Sequence, residues 1–560
     1  MRIGRIGAAV PILYAFFTVT VIVPLAIVVF AAFTDAPPFS GATALHATWS
    51  NFAALWAPGV AQAAGNTIII AVIGTFGALL IGSTLAWLAA RSDVPARPFV
   101  HLVGIMPLFL SVLVASIAWS ELASGPTAYF SLMLSQLGIP WQPNIETLPG
   151  IAFVYAIYEA PYPFLFMYAA LTLVNPELEE AAAAHGASLA HVLRRITLPL
   201  LKPALLGSTL LVFALIVEDF PVPQILGVPV GISTLSTRIY LFMTSVPALP
   251  NVAAALSAVL MIVTSFFVFT QRRLLEGRDY RTLTGKGMQA RELRLRRLRW
   301  PAFALVAGYA LLAVGAPIFA LLEGALRKNV FVQNAAALFD VHAFSFRPLL
   351  DALADPDVAR GTIISLTAGA FAAVVGAIAF LSIAFVVHRT KTPGRQPLEY
   401  LAMLPVAVPA LVLGLGILWT WVGVPLPVYG TVWILGIAFL TRFFPQGYRA
   451  VAASMQQIHD DLDAAARVCG ANALTVARRI TLPLVRSGIA SAIFIMVILS
   501  LRELTASLFL YTTSTRTLSI VIYEKYETGS WSQVAAISLI FTLALMAVTL
   551  FGRRLLRTDP

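Results

Sequence analysis

The sequence predicts an all-α membrane protein of about twelve transmembrane helices in two pseudo-symmetric six-helix repeats. Three observations predict it. Of 560 residues, 59% are apolar and 11% charged, against roughly 25% charged in an ordinary soluble domain. The apolar residues fall in continuous runs close to the roughly 20 residues that cross a hydrocarbon core. A heptapeptide, Arg194-Arg195-Ile196-Thr197-Leu198-Pro199-Leu200, recurs as Arg478-Arg479-Ile480-Thr481-Leu482-Pro483-Leu484. The first observation excludes a water-soluble globule. The second excludes a barrel, whose strands alternate, because backbone in lipid must satisfy its own hydrogen bonds.

Taken in order, the first run, 8–33, follows Arg2 and Arg5 in the manner of a signal peptide, but it lacks a cleavage site. It also exceeds the roughly 7 to 15 residues of such a segment, so it reads as a span. Further runs cover 64–90, 100–122, 148–174, 204–227 and 250–271; after a basic stretch they resume at 300–326, 360–388, 397–421, 429–452, 488–511 and 533–552. The organisation expected is an opening helix and outer loop (1–62), a first repeat core (63–271), a basic cytoplasmic linker (272–299), a seventh helix and outer loop (300–358), a second repeat core (359–553) and a tail (554–560). Alternate loops, including 271–299 and 442–486, hold 29 of the 37 Lys and Arg, which by the positive-inside rule puts them and both termini in the cytoplasm. The net charge of +11 is thereby read as topology and lipid contact, with no nucleic acid partner.

The heptapeptides lie 284 residues apart, whereas Arg91, Pro95, Arg97 and Pro107 match Arg389, Pro393, Arg395 and Pro405 at an offset of 298. The difference places about 14 extra residues in the first half near Ser124 to Pro149. Thr234-Leu235-Ser236 likewise recurs as Thr517-Leu518-Ser519. An even number of spans per repeat gives both copies one orientation, with the pathway between them.

From Glu179 to Leu201 an alanine-rich acidic start favours a helix, Gly186 permits a bend, and Pro199 is expected to end a second short helix. Small residues admit a partner's side chains, and paired arginines offer forks to its carboxylates. With two copies at equivalent positions, a docking role is favoured over a solvated loop.

These residues resemble the membrane subunits of ATP-binding-cassette importers that work with an extracytoplasmic binding protein. That family's cytoplasmic signature reads Glu-Ala-Ala, three residues, Gly, nine residues, Ile, one residue, Leu, Pro. Glu180, Ala181, Ala182, Gly186, Ile196, Leu198 and Pro199 match every fixed position; Ala465, Ala466, Gly470, Ile480, Leu482 and Pro483 match in the second copy, with Ala464 in place of Glu and Asp463 one position earlier. The resemblance implies a bacterial inner-membrane protein with the type I importer permease fold. Each loop would form a coupling helix docked in a groove of a homodimeric ATPase, with Arg194, Arg195, Arg478 and Arg479 beside it. Gly285-Lys286-Gly287 is no phosphate loop, so ATP and Mg belong to the partner, and this chain is expected to hold no cofactor and no catalytic residue. Rigid-body rocking of the halves would switch access.

Ionisable groups inside spans are functional candidates by default. Glu218 and Asp219 lie about 22 Å into the fifth span at 1.5 Å per residue, and their repeat equivalents are Arg502 and Glu503. These four are expected to converge near the pseudo-twofold axis and line the pathway, Arg502 offsetting part of the carboxylate charge; a structural ion pair is the alternative. Glu121 and Glu159 are weaker candidates, read as near the outer ends of spans three and four. The seven histidines lack paired ligand spacing, so no metal site is expected. Arg291 to Arg299 reads as a lipid-facing segment and the single Cys469 as a small packing residue.

Fusion of two permease halves resembles the branch that imports ferric iron, thiamine or aminoethylphosphonate. The stretch Glu218 to Pro223, leading to Thr234-Leu235-Ser236-Thr237-Arg238-Ile239-Tyr240, is similar to the iron-type first half, which makes ferric iron the favoured substrate. In that branch the binding protein supplies most selectivity. A six-plus-six ion-coupled secondary transporter shares the topology but leaves the two matched loops unexplained.

Overall fold

A computed structural model describes residues 9–38, 46–173, 181–182, 184–275, 295–328, 332 and 334–556. Seven helices are long and apolar enough to cross a membrane: Val10–Ala32, Pro58–Arg91, Arg194–Glu218, Pro250–Leu275, Arg296–Leu326, Pro356–Arg389 and Trp531–Thr549. Four bent pairs add Arg97–Phe109 with Val112–Ala123, Leu148–Tyr158 with Pro161–Leu173, Arg395–Ala407 with Ala410–Val422, and Arg478–Leu484 with Arg486–Arg502. Helix Val432–Gln456 completes the twelve expected spans among the described residues; Arg442 and Arg449 within it lower its apolar character.

The duplication is visible in backbone detail. Both 34-residue helices, Pro58–Arg91 and Pro356–Arg389, open on a proline. The third span of each half turns sharply, by 96° and 110°, just after the short 3₁₀ segments Met106–Phe109 and Leu404–Ala407 that contain Pro107 and Pro405. Arg91 Nη2 donates to the Leu171 carbonyl at 2.9 Å, and its equivalent Arg389 donates to Met455 at 3.0 Å. The Leu235 amide bonds Thr67 Oγ1 and the Leu518 amide bonds Ser365 Oγ, at 3.0 and 2.9 Å. Basic residues matched between the halves thus tie off the carbonyls exposed at helix ends.

The opening helix of each half packs across the molecule. Val23–Ala32 lies on Ala410–Val422, and Ala316–Leu326 lies on Val112–Ala123. A Cβ on Gly416 would stand 2.6 Å from the Pro24 carbonyl oxygen, so the crossing needs glycine. Tyr309 and Tyr158 seal the second crossover by donating to the Ile157 and Ala313 carbonyls at 2.9 and 3.0 Å. The first-half insertion contains helix Tyr129–Gln136 and a bridge between Ser124 and Asn144, where the offset change put the extra residues.

Several expectations are corrected. Pro199 does not end a helix: a π-turn over Leu193–Thr197 runs into Leu198–Glu218, because Pro199 falls in its first turn, where the missing N–H costs nothing. The same π-turn occupies Ala477–Thr481. Cys469 is exposed rather than packed. Of the basic linker, residues 276–294 lie outside the described residues, and the chain is followed again from Leu295, whose amide bonds Asp93 Oδ1 at 2.6 Å.

Candidate functional site

Two places answer to the residues singled out. The first is the pair of elbows between the fourth and fifth spans of each half. Gly186 and Gly470 both adopt φ +82°, with nothing within 4 Å of an added Cβ. The amide of Ala187 bonds the Ala182 carbonyl, and that of Ala471 bonds the Ala466 carbonyl, both at 3.0 Å. This is the Schellman ending, in which the left-handed residue lets the next amide reach back and close the helix. The signature glycine is therefore required by backbone conformation and by no contact. Around each elbow Ala181 and Ala465 are exposed and Ala182 and Ala466 half-buried, while Val192, Thr197, Val476 and Thr481 are buried and anchor the turn. Arg194, Arg195, Leu198, Pro199, Arg478, Arg479, Leu482 and Pro483 are all exposed, with Ile196 and Ile480 half-buried. Each elbow thus presents two guanidiniums beside an apolar surface. Glu180 lies outside the described residues, and Asp463 sits in helix Asp460–Val468.

The second place is a cavity of about 510 Å³ between the halves, lined by Glu159, Glu218 and Asp219 of the first half and Arg442, Arg502 and Glu503 of the second. The four expected residues do converge, but their partners differ from expectation. Arg502 donates to the Leu108 and Leu110 carbonyls where the broken third span turns. Glu218 instead meets Arg442, Nη2 to Oε1 at 2.8 Å, and Arg442 Nη1 also bonds the Val408 carbonyl at 3.1 Å. Arg442, counted with the loop 442–486 and not singled out, lies inside the tenth span; an arginine in so apolar a run is the signal that could have marked it.

Asp219 and Glu503 are helix caps. Asp219 Oδ2 accepts from the Val222 amide at 3.2 Å and from Tyr155 OH at 2.8 Å; Glu503 Oε1 accepts from the Ala506 amide at 2.7 Å. An acid three residues before a free amide, with Pro221 just inside the turn, is an N-cap pattern that the sequence displays. Glu159 stands at the break between Leu148–Tyr158 and Pro161–Leu173, on the cavity wall and not near a span end. It is 8% exposed, and its Oε2 has no hydrogen-bond partner.

Among the described residues no three His, Cys, Asp or Glu side chains are placed to hold one metal ion.

Residues 78–278 and 381–557 match the family described as binding-protein-dependent transport system inner membrane component. The chain is 27% identical over 402 residues to the ferric transport system permease protein FbpB of Actinobacillus pleuropneumoniae, covering 72% of this chain and 58% of that protein; it thus spans little more than half of that relative's length. It is 24% identical over 494 residues to the Fe(3+)-transport system permease protein FbpB 2 of Haemophilus influenzae, covering 87% and 89%. A solved bacterial ABC transporter that imports alginate is similar at 21% identity and a TM-score of 0.40, over 48% of this chain and 94% of that one; a likeness of that size adds nothing to the assignment. Since both matched segments fall on the duplicated cores and together cover more than half of the chain, it belongs to the inner membrane components of binding-protein-dependent transport systems: it is a multi-pass permease of the ABC importer class, in fused two-repeat form.

Proposed function

We propose that this permease passes ferric iron, handed over by an extracytoplasmic binding protein, through the cavity between its halves, driven by a homodimeric ATPase that grips the two elbows. The single observation that carries the machinery is the elbow pair, with the same φ at Gly186 and Gly470 and the same exposed arginines. Two matching handles suit two identical motor subunits. Both elbows and both termini face the cytoplasm in this reading, on the positive-inside excess. ATP and Mg reside on the motor. Closing it draws the elbows together, and the halves rock about the buried Arg442–Glu218 bridge. Iron is favoured because relatives that match most of the chain bear ferric transport names.

The test is reconstitution of the chain with its ATPase and binding protein in proteoliposomes loaded with radioactive iron on the binding-protein side. ATP-dependent accumulation is expected. Accumulation of another solute but not iron refutes the substrate; iron flux that follows an ion gradient without ATP refutes the class.

A further inference from the structure

Every charged group on the cavity wall except one is engaged by the protein. Arg502 is spent on two carbonyls and Arg442 on Glu218 and a third carbonyl. Asp219 and Glu503 cap the turns that follow them. These roles recur in both halves at the same offset or bridge the halves, so the scaffold accounts for them. Glu159 is the exception. Its repeat equivalent is Phe443, which lines the same cavity, so the fold is served without a carboxylate there. The Glu159 Oε2 atom is buried and has no hydrogen-bond partner, within electrostatic range of Asp219, Glu218 and Arg502.

Four carboxyl groups face two guanidiniums. The wall therefore carries two more carboxyl groups than guanidiniums at membrane depth, where an unbalanced charge is costly, and a cation restores the balance. From this geometry we infer that the cavity is a station for a multivalent metal cation carrying its bound waters, held at Glu159 with Asp219 and Glu218 beside it. The ion is held through its waters and not by direct ligation, because among the described residues no three ligand-type side chains stand close enough together. Room is ample: six waters at about 30 Å³ each take roughly 180 Å³, against the cavity's 510 Å³. Holding the ion through water keeps binding weak enough for release, as conduction requires. The inference rests on the reading of this cavity as the pathway, and it adds which residue holds the ion there and that it is held through water.

The test uses the full chain in nanodiscs of zwitterionic lipid, with Tb³⁺ as probe and its emission excited through tyrosine, since Tyr162 lines the cavity. Hexaamminecobalt(III), which cannot shed its ligands, should displace the ion from a water-mediated site. Glu159→Gln should weaken Tb³⁺ binding about tenfold, Glu159→Asp should retain it, and Asp351→Asn, an exposed acid elsewhere, should change nothing. Equal binding in Glu159→Gln and the parent overturns the inference, as does equal loss in Glu159→Gln and Glu159→Asp, which would mark a packing defect. ATP-dependent iron uptake in the reconstituted complex with Tb³⁺ binding unaffected by Glu159→Gln would sink this station alone. Tb³⁺ binding that depends on Glu159 without any iron uptake would sink the substrate reading and leave the station standing.

Discussion

Removing Arg442 or Glu218 attacks the one described ion pair that joins the halves at the cavity. The pair closes at 2.8 Å with side chains 18% and 8% exposed, so either single change strands a charge away from water. Breaking a buried pair costs about 3 to 5 kcal/mol, mostly from the charge left behind; the partial exposure of Arg442 sets the expectation near the lower end, about 3 kcal/mol for Arg442→Gln and for Glu218→Gln alike. Additive behaviour would put the double variant at about 6 kcal/mol. With both charges gone nothing is stranded, and the remaining loss includes the Arg442 bond to the Val408 carbonyl, about 1 kcal/mol. The double variant is therefore expected below either single, at about 1 to 2 kcal/mol, far short of the additive value. The assay is a double-mutant cycle by denaturant titration of the purified protein, followed by tryptophan fluorescence. A double variant as unstable as the sum of the singles would refute the bridge. So would a single variant indistinguishable from the parent.

At the elbows, replacing Arg194, Arg195, Arg478 and Arg479 by Gln should abolish copurification of the ATPase while shifting stability by less than about 0.5 kcal/mol per site, because the four are exposed; undiminished copurification would show that the arginines do not dock. Ala96 adopts φ +53°, whereas its repeat equivalent is Gly394 at +84°. Ala96→Gly should therefore raise the unfolding midpoint by up to about 1 kcal/mol of stability, and a lowered midpoint would refute the strain. Asp355, at the start of Pro356–Arg389, meets Lys525 Nζ at 2.7 Å. Burial pushes its carboxyl up, but the Lys525 ammonium and the Asp357 and Val358 amides outweigh this and hold it below its ordinary value. Because the folded value is depressed, this stabilisation is present above the unfolded value of about 3.9 and lost as pH falls through the folded one. The stability gap between the parent and Asp355→Asn should be constant from about pH 5 to 8 and narrow as pH falls below the unfolded value of about 3.9. A gap that widens on acidification would contradict it.

Much of the molecule was legible because the determining patterns are local. Each span is a stretch of about twenty apolar residues, and the prolines that precede the two breaks, Pro107 and Pro405, were already visible as matched residues, although as repeat markers and not as signs of turns of about a right angle. The elbow glycines were legible for the same reason: a residue that must sit at positive φ after an alanine-rich helix is written into neighbouring positions. Site partners were not. The offset of 284 points from Glu218 to Arg502, yet Arg502 caps carbonyls, and Arg442 supplies the counter-charge from a position where the first half has Tyr158. Equivalence by duplication says which residues occupy the same place in each half and says nothing about which helices touch across the axis. Pro199 misled in a similar way, because its effect depends on whether it lands inside a helix or in its first turn.

The sequence by itself determined the class, the number of spans, the duplication and the two matched elbows, since each follows from hydropathy, spacing or backbone preference within a few residues. Tertiary structure alone decided that the opening helices cross to the opposite half, that Asp219 and Glu503 cap turns, that Arg442 bridges to Glu218, and that Glu159 is left without a partner. Charge compensation is set by which side chains come within about 3 Å of one another across hundreds of residues, a distance that only the packed helices define.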